Sequence, residues 1–241
     1  MPATVANNEA RQVTGLAEAL GRSLRHELGD FLQKVYATVA ILETRLPSEW
    51  RTEREILARL RERAEGCRQL LDEIQDFLCP LTLNCQSMDL AELAAQLVMD
   101  VRLRYPHLQV TAQDDGPARI SADLIRMAQV GEILLANACQ AAQHEVTLET
   151  TTDASSGKVR WCVCDDGPGI SAEVSSRLFR PFFSTRPGHV GLGLALAQKL
   201  VLLHAGRISL ANQSDGGCCC EVWLPAGSSA PSLFPEGETA T

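Results

Sequence analysis

Apolar residues at Val13, Leu16, Leu20, Leu24, Leu28, Phe31, Val35, Val39, Leu42 and Leu46 recur three and four positions apart, which predicts a long amphipathic helix. Leu46-Pro47-Ser48-Glu49-Trp50 interrupts that stripe: the proline ends the helix and Ser48 is placed to cap the next one. A second stripe follows at Ile56, Leu60, Ala64, Cys67, Leu71, Ile74, Leu78 and Leu81. Its spacing near 3.5 predicts a helical hairpin over residues 8–82 with a coiled-coil-like seam. A lone hairpin buries one stripe of each helix against the other and leaves the core unfinished. A second copy completing a four-helix bundle is the expected remedy, so a homodimer is predicted.

Beyond Cys79-Pro80 the periodicity changes. Helical spacing is expected at about 89–104, 123–143 and 191–205, and strand-like runs at about 108–113, 145–152, 158–164, 207–212 and 218–224. The fold class is therefore α+β: an N-terminal helical hairpin forming a dimeric four-helix bundle, then a two-layer α/β sandwich over 83–227. Residues 228–241 are rich in Pro, Ser and Glu and are expected to form a disordered tail.

Charge and composition narrow the partners. Lys and Arg number 22 against 30 Asp and Glu, a net charge of −8, which argues against nucleic acid, whose backbone asks for a basic face. No apolar run reaches the roughly 18 to 20 residues of a membrane span, and the first residues lack the layout of a signal peptide, so a cytoplasmic location is expected. The nine cysteines include no Cys-x-x-Cys pair and have no histidine spacing suited to zinc. Most of them read as small buried hydrophobes in a reducing compartment.

Three stretches could carry chemistry. In Cys164-Asp165-Asp166-Gly167-Pro168-Gly169-Ile170, a carboxylate at a strand end precedes two glycines, so it could accept a hydrogen bond from a ligand amino group while the glycines allow close approach. An ordinary turn reads the same way. Gly188-His189-Val190-Gly191-Leu192-Gly193-Leu194 runs into a helix whose free N–H groups and positive dipole end suit a phosphate. It is neither a dinucleotide fingerprint nor a Walker loop. Within Gln129 to Ala142, Asn137 is an amide inside an apolar helix, either a satisfied core group or an oxygen donor to a hard cation such as Mg²⁺.

Taken in chain order, as the Asn137 helix, the Asp165 turn and the Gly191 helix start, the three stretches resemble the sensor histidine kinases of two-component signalling. The N box of that family is similar to Asn137-Ala138, the G1 box to Asp165 through Gly169, the F box to Leu178-Phe179-Arg180-Pro181-Phe182-Phe183, and the G2 box to Gly191-Leu192-Gly193-Leu194. The resemblance covers about residues 15–226. It implies an ATP-binding domain of the Bergerat fold behind a dimerisation and phosphotransfer hairpin. It also implies ATP and Mg²⁺ as cofactors, with Asp165 on the adenine amino group, Asn137 on Mg²⁺, and the Gly191 and Gly193 backbone on phosphates. Gly167, Gly169, Phe179, Phe182, Leu192 and Leu194 complete the implied nucleotide site.

The phospho-acceptor candidate is His26, in Leu24-Arg25-His26-Glu27-Leu28, which falls between the seam positions Leu24 and Leu28 and so faces off the core. Glu27 is the candidate base. A response regulator receiver domain, and an upstream sensory partner, are the implied partners. Three departures from the pattern stand out: Ile133 where an Asn is usual, Gln140 where a basic residue is common, and Asp30-Phe31 where Asn-Pro is common. Lys199 and Arg186 are candidates to supply the missing charge, and phosphatase activity toward the regulator is not expected. Competing readings are a hydrolytic ATPase of the gyrase, MutL or heat-shock chaperone type, and a phosphorelay shuttle or pseudokinase scaffold with weakened ATP use. Ile133 stands where the hydrolytic enzymes place their glutamate, which argues against the first.

Overall fold

The computed structural model describes residues 26–47, 49–186, 190–214 and 216–227, and the chain divides into two compact units, Met1–Leu81 and Thr82–Thr241. The stripe positions Val13 to Leu24, the cap position Ser48, residues Gly188 and His189, and the tail at 228–241 lie outside the described residues.

Among the described residues the first unit contains two helices, α1 over residues 26–45 and α2 (Arg51–Leu78). The backbone between them follows from Pro47: Trp50 donates to the Pro47 carbonyl, and the Arg54 side chain donates to the Leu46 carbonyl at 3.0 Å. Leu32, Val39, Leu57 and Ala64 are buried, but Leu28, Phe31, Leu42, Ile56 and Leu60 remain exposed. The apolar stripe is thus wider than the strip that one hairpin covers, because each helix has a single neighbour.

The second unit is built on a five-stranded mixed sheet with order β2-β4-β5-β7-β6: β2 (Gln109–Asp114), β4 (Glu145–Asp153), β5 (Lys158–Asp165), β6 (Arg207–Asn212) and β7 (Cys218–Pro225). Only β2 and β4 run parallel. Helices α3 (Leu90–Arg104), α4 (Leu124–Ala141) and α6 (Gly193–Leu203) supply the second layer. Alternation along β7, with Cys218, Cys220, Val222 and Leu224 buried, shows the period of two expected of a sheet with one face under helices. Trp161 of β5 is fully buried against Gly131 of α4, where any Cβ would press on the indole ring.

Two short strands escaped the sequence reading. β1 (Gln86–Asp89) and β3 (Arg119–Ala122) pair antiparallel as a separate two-stranded sheet. Each has four residues, too few for periodicity to register. Each is followed closely by a helix whose cap is an aspartate. Asp89 accepts from Ala91 N at 3.0 Å and from Ala118 N at 3.1 Å, and Asp123 accepts from Arg126 N at 3.1 Å and from Asn84 N at 2.9 Å. His204, which caps the C-terminus of α6, is a core group. Its Nε2 accepts from Asp123 N at 3.0 Å while Nδ1 donates to the Leu200 carbonyl at 2.8 Å, and only 2 % of the residue is exposed.

The cysteines also depart from expectation. Cys139, Cys162, Cys218 and Cys220 are buried free thiols as anticipated, but Cys164 and Cys219, directly opposite in β5 and β7, are joined by a disulfide. They stand more than fifty residues apart in sequence, so spacing gave no sign of the pair.

Candidate functional site

Asp165 is the last residue of β5, and the strand delivers its carboxylate into the second unit at 8 % exposure. Oδ1 accepts from Gly167 N at 2.9 Å. Burial pushes its pKa up, opposed by hydrogen bonds from the Gly167 and Cys218 amides, and helped by the neighbouring Asp166 charge. A buried carboxylate at the end of a strand is costly unless donors meet it, and here the Gly167 and Cys218 amides do so.

The turn after it is held from three sides. A Cβ on Gly167 would run into the Ala141 carbonyl oxygen at the end of α4, so the turn lies directly on that helix. Gly169 adopts a φ of 73°, and the Asn212 side chain latches the next residue, accepting from Ile170 N at 2.8 Å and donating to the Ile170 carbonyl at 2.7 Å. Gln213 Nε2 donates to the Asp165 carbonyl at 3.1 Å. Neither Asn212 nor Gln213 was legible as a site residue, because nothing local to the end of β6 says which loop it meets.

Asp166 has a different role from its neighbour. Its carboxylate accepts from Gln143 N at 2.8 Å and His144 N at 3.0 Å, and its Oδ2 lies 3.2 Å from His144 Nδ1. Some burial works against it, but these amides and the imidazole hold its pKa down at about 2. It closes the passage from α4 into β4 and so fixes the height of the turn relative to the helix.

Asn137 and Gln140 lie in the C-terminal half of α4. Arg186 reaches them from the segment after the F box: its guanidinium donates to the Gln140 side-chain oxygen and, at 3.3 Å, to the Asn137 carbonyl. Its charge also lowers the Asp165 pKa, so it lies within electrostatic reach of both ends of the site. The Ile133 side chain abuts Gly193, where a Cβ would sit 3.3 Å from Cγ2. An apolar contact therefore occupies the place at which a hydrolytic glutamate is expected, while Glu132 is exposed.

Gly191, at φ 75°, passes so close to the Phe183 backbone that no side chain fits, and buried Leu192 then caps α6, which begins at Gly193. This places the first turn of α6 beside α4, with its N–H groups presented as an anion seat. Leu194 is half-buried in that turn. Phe179 is half-buried after the short helix α5 (Ala172–Ser175). Phe182 is 65 % exposed with a φ of 62°, and Arg177 stacks over Phe183 at 4.3 Å. The structure therefore sets the Gly167 turn on Ala141 at the end of α4 and Gly193 against Ile133 of the same helix, and leaves Phe182 exposed.

In the first unit His26 is on α1 with its side chain 81 % exposed. The carboxylate beside its ring is Asp30, one turn on, with Oδ2 3.7 Å from Nδ1, and Glu27, the candidate base, is exposed on the same helix. Positions four apart share a helix face, which brings Asp30 to the ring. His26 and Asp30 open onto a cleft of about 530 Å³ lined also by Gln33, Tyr36, Arg68 and Gln75.

Residues 122–228 match the family of histidine kinase-, DNA gyrase B- and HSP90-like ATPases. Sensor histidine kinase ZraS of Escherichia coli (strain K12) is 31 % identical over 211 residues, an alignment covering 86 % of this chain and 45 % of that protein. The chain thus spans a little under half the length of this relative. The crystal structure of full-length ShkA in complex with AMPPNP has the same fold, with a TM-score of 0.76 at 23 % identity over 88 % of this chain and 47 % of that one. The nucleotide-free catalytic domain of histidine kinase ThkA superposes with a TM-score of 0.54 at 26 % identity, over 59 % of this chain and 95 % of that domain.

Proposed function

We propose that the chain is a sensor histidine kinase, with the matched ATPase domain at residues 122–228, and that it transfers the γ-phosphoryl group of ATP to His26 and then to an aspartate of a response regulator receiver domain. The observation that carries this reading is the convergence of Asp165, the Gly167 turn, Arg186 and the start of α6 on the C-terminal half of α4.

Each part has a task. The buried Asp165 carboxylate accepts from the adenine amino group, and the glycines at 167 and 169 let the base approach the backbone. The N–H groups opening α6 hold phosphate oxygens, and Arg186 supplies the positive charge that Gln140 lacks. The Asn137 amide oxygen is a hard donor of the kind Mg²⁺ takes beside phosphates and water, so it fits that ion. When bound, Mg²⁺ would neutralise charge on the phosphates. The rest is positioning, the main task of a protein in phosphoryl transfer.

At the acceptor, Asp30 lies on the Nδ1 side of the ring, so Nε2 is the atom that attacks the γ-phosphorus as ADP leaves, and the carboxylate is placed to offset the charge on the phosphorylated ring or accept its Nδ1 proton. The exposed apolar positions Leu28, Phe31, Leu42, Ile56 and Leu60 support pairing with a second hairpin into a homodimeric four-helix bundle.

The test is incubation of the purified chain with Mg²⁺ and γ-labelled ATP. Acid-labile, base-stable label that disappears in His26→Ala is the expected result. Label retained in that variant overturns the acceptor assignment, and nucleotide binding without any label leaves the scaffold reading in its place.

A further inference from the structure

The face of the sheet turned away from α3, α4 and α6 carries a cluster of sulfur atoms. Because Trp161 packs on α4, the period of two turns Cys162 and Cys164 to the opposite face, and Cys219 of β7 joins them there. Cys164 and Cys219 are register partners with Cα atoms 4.2 Å apart, linked by the disulfide. Cys162 Sγ lies 3.5 Å from Cys164 Sγ, and all three sulfurs fall within 4.8 Å of one another.

The members of this trio differ in access. Cys162 is 1 % exposed, beside Arg160, which is ion-paired to Glu149 at 3.1 Å and also bonded to Glu221. Burial pushes its thiol up to about 11, so it stays protonated and inert near neutral pH. Cys164 and Cys219 are only half-buried.

The bond also sits where it can matter. Asp165 follows Cys164 directly, and its register partner Cys218 adjoins Cys219. Gly217, at φ 83°, lies so close to the Asp165 carbonyl that no Cβ fits between them. The disulfide therefore staples the two strands one residue before the carboxylate assigned to adenine.

We propose that Cys164 and Cys219 form a reversible thiol–disulfide site, oxidised by small-molecule disulfides of the glutathione class, whose state sets the position of Asp165 and with it the affinity for nucleotide. The coupling to nucleotide rests on the assignment of Asp165 made above. In the forward direction the thiolate of one cysteine attacks a sulfur of the small disulfide, forming a mixed disulfide and expelling one thiolate. The second cysteine then attacks the mixed disulfide at the protein sulfur, closing the Cys164–Cys219 bond and releasing the second small thiol. The protein pair gives up two electrons, the small disulfide takes them, and the two thiol protons end on the two released thiols.

The full chain, equilibrated with reduced or oxidised glutathione, tests this by differential alkylation with peptide mass spectrometry, amide hydrogen exchange and ATP binding. Linked Cys164 and Cys219 peptides are expected under oxidised glutathione and free thiols under reduced glutathione, with Cys162 alkylated only after unfolding. The Gly167 amide should exchange at different rates in the two forms, and ATP affinity should differ several-fold between them. Cys219→Ser should abolish both differences, and Cys162→Ser should keep them.

Cysteines 164 and 219 that alkylate equally under both conditions overturn the proposal, as does protection of these two thiols only by added Zn²⁺, which would make the trio a metal site. A bond that forms without altering Gly167 exchange refutes the coupling. Redox-dependent exchange in a protein that binds no ATP in either form would uphold the switch and sink the nucleotide assignment instead.

Discussion

Replacing Gly167 by alanine adds one carbon at the point where the turn after β5 rests on α4. Built on the existing backbone, that Cβ lies 2.8 Å from Asp165 Oδ1 and 2.9 Å from the Ala141 carbonyl carbon, and it overlaps the carbonyl oxygen. Ala141 is the last residue of an 18-residue helix whose buried positions pack the core, so the helix will not yield, and the turn must lift instead. Overpacking of this kind costs about 1–3 kcal/mol. Lifting also stretches the 2.9 Å bond from Gly167 N to Asp165, a hydrogen bond to a charged acceptor worth about 1.5–3 kcal/mol. The two terms overlap, and together they give a loss of about 3 kcal/mol. Urea denaturation followed by far-UV circular dichroism measures the stability, and equilibrium binding of ATP measures the site. Binding should fall at least about tenfold, because Asp165 and the loop amides move together. A variant within about 0.5 kcal/mol of wild type that binds ATP equally well would refute the claim that the turn rests on α4 and positions Asp165.

Three further outcomes follow from the same contacts. Asp165→Asn should abolish ATP binding while making the fold more stable near neutral pH, because burial raises the carboxyl pKa and a raised carboxyl stabilises the folded state only when protonated; equal or lower stability by urea denaturation at pH 7 contradicts this. Asp166→Asn should flatten the acid limb of the stability curve: with its folded pKa held down at about 2, the ionised group contributes stability above its unfolded pKa of about 3.9 and loses it as pH falls from there toward about 2. Denaturation series between pH 5 and pH 2 that superpose for variant and wild type would count against that linkage. His204→Ala should cost about 3 kcal/mol, combining a cavity with an Asp123 amide left buried and unsatisfied; a urea midpoint unchanged from wild type would show that the imidazole is not structural.

Much of this protein is written in the order of its residues. Stripes with a period near 3.5, the proline at 47, and the change to alternating patterns after Pro80 carry the two helices and the mixed sheet, because amphipathic period is a local property of the chain. Asp165, Gly167, Gly169, Gly191 and Gly193 are legible for the same reason, since a carboxylate before paired glycines, and glycines before a helix, each state a local backbone requirement. His26 is legible by its place between Leu24 and Leu28. That Asp30 lies beside its ring needs the actual helix face, where the separation of 3.7 Å appears.

What tertiary structure alone decided is every relation between segments that lie far apart in the chain. Asn212 latching Ile170, Arg186 crossing to Asn137 and Gln140, His204 accepting from Asp123, and Cys164 meeting Cys219 all join residues more than forty positions apart. Sequence pattern records which face of an element is apolar, but sheet order and register determine which elements become neighbours. The strands β1 and β3 belong here too: four-residue segments of mixed polarity are strands only because each finds the other. The chain thus encodes its elements and the glycines of its turns through local sterics and periodicity. The buried carboxylate, its donors and the sulfur cluster behind it acquire their chemistry only when the fold removes water and sets their distances.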